Sequence, residues 1–392
     1  TKTGLSLYIN YIVHGMGVLI LMQNVDALSL KWSTDVAGIA SVVAMLGIGR
    51  LIAILITGKL SDVLGRRLFV YLGMGIYTLF FLGILISPNL QVAMFFAVLA
   101  GIANSSLDSG TYPALMESFP EAAGTANVLI KAAVQIGQFA LPFIIAIISK
   151  NNLWFGWSFI VCIGLLAVNA IFLATVPFPD AEIREGNDKD AVVEMVKLKK
   201  PAKMHVDGLA FILYGFISQA TFYLISQFIT LYGREVAMMS EAASSMLVSY
   251  YSIGSLVCVA ITAILATRIR PVSLLIPYTF MSFISISLMY FFPTPIILTV
   301  GAAFVGFFAA GGVMQLGLTV MGEMFPQGKG TITGIFYTFG SIASFLIPVI
   351  SGRIVSHNPR NVMLLDAVIS GVGFLLAIMM YVRYYTIVDV EK

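Results

Sequence analysis

Glu117-Ser118-Phe119-Pro120-Glu121-Ala122-Ala123-Gly124-Thr125 returns, 206 residues later, as Glu323-Met324-Phe325-Pro326-Gln327-Gly328-Lys329-Gly330-Thr331. The shared pattern is E-x-F-P-x-x-x-G-T, and at the same offset Phe139 and Pro142 meet Phe345 and Pro348. Each copy joins the end of one long apolar run to the start of the next. Two copies in equivalent settings imply a duplicated unit. In membrane transporters, parallel halves of this kind are related by an axis along the membrane normal, with substrate held between them near the midplane.

Composition supports the membrane setting. Of 392 residues, 59% are hydrophobic and 10% charged, against about 45–50% and about 25% in soluble domains. So few charges cannot cover so much apolar surface in water. Soluble enzymes, nucleic-acid binders and disordered chains are excluded together. Apolar runs near 20 residues long predict helices rather than a barrel. The runs fall at about 5–24, 36–57, 68–87, 91–115, 124–148, 155–177, 206–232, 243–266, 272–291, 294–321, 330–351 and 361–383. The fold class is therefore all-α integral membrane, with twelve transmembrane helices in two pseudo-symmetric six-helix bundles.

Between the sixth and seventh runs, Phe178 to Lys203 holds six acidic and six basic residues. This divides the chain into an N-terminal bundle (1–177), a linker (178–205) and a C-terminal bundle (206–392). With both termini in the cytoplasm, fifteen Lys and Arg fall on inside segments and five on outside ones, which obeys the positive-inside rule. A multi-pass protein of the cell (plasma or inner) membrane is expected, a monomer whose partners are lipids and a small-molecule substrate, with no nucleic acid. Cys162 and Cys258 lie within apolar runs, and His14, His205 and His357 have no metal-ligand spacing. No metal or cofactor is expected, and protons are the expected coupling ion.

The segment after the second run reads Gly58-Lys59-Leu60-Ser61-Asp62-Val63-Leu64-Gly65-Arg66-Arg67. It resembles the loop signature G-x-L-(S/A)-D-x-x-G-R-(R/K) of the major facilitator superfamily, and twelve runs about a central linker extend that resemblance over the whole chain. Membership implies a transporter rather than an enzyme, working by alternating access. It also implies that Gly58, Asp62, Gly65, Arg66 and Arg67 help latch the halves in the outward-open state. From the residues themselves, Gly58 is expected to permit close helix approach, Asp62 to cap or pair near a helix end, and the arginines to fix the cytoplasmic face. The corresponding segment of the second half keeps only Arg268 and Arg270.

Ionisable residues at membrane depth cost about 2.5–3.5 kcal/mol each on insertion scales, so each needs a reason. The fourth run carries Asn104 and Asp108 one helical turn apart, and the fifth carries Lys131, Gln135 and Gln138. Their repeat counterparts are uncharged, including Met314 and Tyr337. Asp108 and Lys131 lie at comparable distances from one short loop, which brings a salt bridge between neighbouring helices within reach. Either they neutralise each other structurally, or Asp108 takes up the coupling proton while Lys131 holds an anionic substrate. Arg50 either snorkels to the headgroups or faces a cavity as a permanent positive charge. Tyr11 and His14 share a face of the first run, and Gln219, Tyr223 and Gln227 recur every four residues in the seventh. Asp26 and Glu117 are the alternative proton carriers.

The expected substrate is a small polar solute, with a hydroxylated organic acid or carboxylate favoured by Arg50, Lys131 and His14, taken up by proton symport. The alternatives are a neutral sugar, which the amides and tyrosines also suit, and proton-coupled efflux of drugs or metabolites. Exporters carry G-x-x-x-G-P-x-x-G-G in the fifth run. Here Ile136 to Ile145 has glycine and proline without that spacing.

Overall fold

The computed structural model describes residues 2–119, 123–178, 198–265, 268–310, 313–325 and 329–389. The N-terminal bundle comprises α1 (Lys2–Gln23), α2 (Val25–Trp32), α3 (Val36–Leu64), α4 (Arg66–Ile86), α5 (Leu90–Ser118), α6 (Ala123–Lys150) and α7 (Trp157–Ala174). A π-helical turn, Met204–Gly208, leads into α8 (Leu209–Glu235). The rest of the C-terminal bundle is α9 (Glu241–Leu265), α10 (Pro271–Phe291), α11 (Pro295–Val305), a second π turn (Gly306–Ala310), α12 (Val313–Met324), α13 (Lys329–His357) and α14 (Arg360–Ile387).

Local chemistry sets several of these ends. The carboxylates or amides of Asp35 and Asn89 accept the backbone N–H of Gly38 and Val92, both at 3.0 Å, and so cap α3 and α5. Pro271 and Pro295 occupy first-turn positions, where a missing N–H costs nothing. Exposed apolar side chains recur at helical spacing on the outer faces, for example Leu72, Leu79, Leu82 and Ile86 on α4, and Val161, Leu165 and Val168 on α7. Such stripes suit lipid contact and no aqueous surface.

The structure departs from the sequence expectations in three ways: a span's end, a glycine's role and a span's continuity. The second span runs seven residues beyond its predicted end, so Gly58 to Leu64 form the last turns of α3 rather than a loop. The chain turns only at Gly65, whose φ of 95° and ψ of 138° favour glycine. A Cβ placed on Gly58 would meet nothing within 4 Å, so close helix approach is not its role. The side chain of Asp62 lies outside the described residues. Third, the tenth span is interrupted by the π turn between α11 and α12.

Tight packing inside each half comes from a matched pair of glycines. A Cβ on Gly101 of α5 would lie 2.1 Å from the Leu46 carbonyl of α3, and one on Gly49 of α3 would lie 1.9 Å from the Val98 carbonyl. In the second half, Gly254 of α9 and Gly306 stand against Ala303 and Tyr251 in the same way, each at 1.9 Å. Backbones touch where no side chain intervenes. The repeat is therefore three-dimensional as well as sequential, although Pro120 and Pro326 lie outside the described residues. Its two glutamates pin the same ends of the bundles: Glu117 pairs with Arg66, and Glu323 accepts the Tyr384 hydroxyl at 2.6 Å.

The halves meet along α3 and α13, α6 and α9, and α1 and α8. Hydrogen bonds between them gather from the helix middles toward one end. Gln227 Nε2 donates to the Val18 carbonyl at 2.8 Å, Gln23 Nε2 to Thr230 Oγ1 at 3.0 Å, and Ser356 Oγ to Asp35 Oδ2 at 2.9 Å. Beyond these, Arg234 grips both carboxylate oxygens of Asp26. The bond from Gly38, with help from Ser356, holds the Asp35 carboxyl below the usual aspartate range against the opposing effect of its burial.

A polar cavity between the two bundles

Where the halves diverge from this clasp, a cavity of about 120 Å³ opens between them. From the N-terminal half α1 supplies Tyr11 and His14, α3 Arg50, α5 Asn104, Asp108 and Tyr112, and α6 Lys131 and Gln135. The second half contributes Gln219, Phe222 and Tyr223 from α8, Met314 from α12, and Tyr337 and Ser341 from α13. The charges come from one half. The other half adds an amide, hydroxyls and rings and, among the described residues, no charge.

Helical spacing explains the convergence on α5, since Asn104, Asp108 and Tyr112 are successive turns of one face. Asp108 is bonded on both sides. Tyr11 donates its hydroxyl to Oδ1 at 2.6 Å, and Arg50 Nη2 lies 3.3 Å from Oδ2. Arg50 is held in register by the Gly49–Gly101 contact, and Ser105 Oγ donates to its carbonyl at 3.3 Å. The salt bridge of Asp108 thus runs to Arg50 and not to Lys131, and Arg50 faces the cavity instead of snorkelling. Lys131 lines the cavity with no ion-pair partner within 4 Å among the described residues. Two buried polar atoms on the lining, Arg50 Nε and Gln135 Oε1, are also without hydrogen-bond partners. His14 Nδ1 is hydrogen-bonded to the Tyr77 hydroxyl, which fixes its ring edge-on to Tyr11 at 6.0 Å.

Ten of the residues singled out in the sequence line this space: Tyr11, His14, Arg50, Asn104, Asp108, Lys131, Gln135, Gln219, Tyr223 and Tyr337. Four others lie elsewhere. Gln138 is fully buried behind the lining with both amide atoms unpartnered, and Gln227 is spent on the Val18 carbonyl. Asp26 and Glu117 sit with Arg234 and Arg66, toward opposite ends of the bundle and away from the cavity. Arg67, beside Arg66, donates to the carbonyls of Leu173 and Ala174 at 3.3 and 3.4 Å, tying α4 to the end of α7. Tyr112 was not among the sequence candidates. Its position four residues after Asp108 was the available signal.

Two six-helix bundles with a polar cavity between them define a membrane transport protein. The sequence pattern of the Major Facilitator Superfamily matches residues 7–243 and 215–387, and the chain belongs to that superfamily. It is similar to the inner membrane transport protein YdiM of Escherichia coli (strain K12), with 46% identity over 386 residues, covering 97% of this chain and 94% of that protein. Its fold is that of the D-xylose-proton symporter (TM-score 0.76, 13% identity, 97% and 96% coverage). The nucleoside transporter NupG shares it too (TM-score 0.78, 13% identity, 97% and 98% coverage).

Proposed function

We propose that the protein takes up a small hydroxylated organic acid together with a proton, by alternating access about this cavity. The observation that carries the reading is the charge balance of the lining: Arg50 and Lys131 face one carboxylate, Asp108, and Arg50 is already engaged by it. A substrate carboxylate needs the same guanidinium. Protonating Asp108 weakens its hold on Arg50 and frees that cation for the incoming anion. Proton and anion therefore favour each other's binding, and by linkage the coupling is reciprocal. Asn104, Gln135, Gln219 and Tyr223 would meet substrate hydroxyls. The clasp through Asp26, Asp35 and Arg234 lies on the face that the charge distribution assigns to the outside, so the conformation is read as inward-facing.

Uptake into proteoliposomes, with and without an imposed pH gradient, tests this over paired acids and their neutral amide or alcohol analogues. The expected result is gradient-driven accumulation of an acid and weak binding of its neutral partner. Equal handling of the two would replace the acid with a neutral sugar, the reading that the amides and hydroxyls of the lining favour. Outward pumping against the gradient would indicate efflux.

A further inference from the structure

Ionisable groups in the C-terminal half are not confined to its surface. Asp366, six residues into α14, is fully buried, and neither carboxylate oxygen accepts a well-formed hydrogen bond, the Thr221 hydroxyl offering a loose one. Thr221 of α8 and Tyr251 of α9 face it. Tyr251 is the titratable group set against it from the packed helices, its hydroxyl likewise fully buried and unpartnered. One and two turns further along α14, Ser370 and Gly373 join Thr221, Ser218, Thr279 and Ser282 around a separate cavity of about 30 Å³. That is room for about two waters.

An ionised, unpaired carboxylate in such surroundings would bear most of the cost of leaving water, several kcal/mol or more. The neutral acid avoids that cost. No basic side chain pairs with Asp366 among the described residues. We propose that Asp366 is a second proton-binding site of the transporter, carried as the neutral acid inside the C-terminal bundle and exchanging its proton through the small cavity beside Thr221 and Ser370. On release the carboxyl O–H bond breaks, the electron pair stays on the carboxylate, and the proton passes by way of the Thr221 hydroxyl, which gives up its own proton in turn, to water in that cavity. The site lies one helix behind the central cavity. Thr221 and its neighbours Phe222 and Tyr223 belong to the same turn of α8, and the rings of Phe222 and Tyr251 lie 6.4 Å apart. Ionising Asp366 thus acts on the helix that forms the C-terminal wall of the substrate cavity. The inference does not depend on the role given to Asp108.

Infrared difference spectroscopy on the reconstituted full chain, stepped in pH, tests it. The expected spectrum has a protonated-carboxyl band at neutral pH that fades as pH rises. This band is absent in Asp366→Asn, shifted in Asp366→Glu, and retained in Asp108→Asn. Labelling Asp108→Asn with carbon-isotope aspartate assigns the band to an aspartic acid without altering Asp366. Three results would overturn the proposal: no band removed by Asp366→Asn, a band that does not titrate at any pH the protein survives, or one that disappears on adding sodium at fixed pH. Loss of coupled uptake in Asp108→Asn with the Asp366 band intact would leave the two sites separately judged.

Discussion

At the scale of residues, the cavity is organised by one carboxylate with two partners. Asp108→Asn keeps the shape and removes the titration, so it should abolish uptake driven by a pH gradient while preserving exchange of substrate across the membrane; transport assays in both modes separate the two. Asp26→Asn and Glu117→Gln should leave coupling intact, because neither residue reaches the cavity. Lys131→Gln should weaken an acid's binding about tenfold or more and its neutral analogue's hardly at all, as expected when one partner of a desolvated charge pair is lost. Arg50→Gln should do the same and also lower the melting temperature, since Asp108 would keep only its bond from Tyr11. Asp35 carries a pH prediction. Its folded-state carboxyl is held below the ordinary aspartate range, so its contribution is fully present above that range. It is lost as pH falls through the depressed value, and Asp35→Ala should remove the cap at a cost of roughly 1 kcal/mol at neutral pH. A melting series in acid on both proteins reads the difference.

At the scale of helices, the glycine contacts decide whether the charges meet. Gly101→Val would thrust a side chain against the α3 backbone, where even a Cβ finds the Leu46 carbonyl at 2.1 Å and the Arg50 nitrogen at 2.4 Å. The helices must separate, so both substrate affinity and melting temperature should fall. Gly58→Ala should be neutral or slightly stabilising by thermal melt, about 0.5–1 kcal/mol at most, because it adds a good helix former where space is free. Gly65→Ala should cost roughly 1–3 kcal/mol, because few other residues accept its backbone angles. These contrasts mark what the sequence could and could not disclose. Spans, duplication and most cavity residues follow from hydropathy and from polar residues spaced by whole turns, which are properties of single helices. The partner of Asp108 is a property of two helices. Spacing along the chain pointed to Lys131, whereas a backbone contact between α3 and α5 delivers Arg50. Asp366 escaped for the opposite reason: a single carboxylate six residues from the start of the last helix forms no pattern, and its burial is seen only once α14 packs on α8 and α10. The signature at Gly58–Arg67 marked the family correctly but not its own conformation, since its first seven residues satisfy helical hydrogen bonding as readily as a loop.

At the scale of the molecule, the contacts that join the halves along one face include Gln227 to Val18, Gln23 to Thr230, Ser356 to Asp35 and the Arg234–Asp26 pair. A disulfide formed in the double variant Asp26→Cys, Arg234→Cys should arrest uptake, with recovery on reduction; full transport with the bridge intact would show that the halves do not part there. The ion pair is solvent-accessible, with 62% of the Asp26 side chain exposed. Such pairs are worth about 0.2–1 kcal/mol and are screened over about 8 Å at physiological ionic strength. The protein is thereby given sensitivity to the salinity of its surroundings. In dilute medium the pair adds to the hold between the halves, whereas in brine its contribution fades, a difference of at most about fivefold in any equilibrium it bears on. A pair placed in this way would loosen its hold between the halves as the medium around it passes from fresh to salty water, before any substrate arrives.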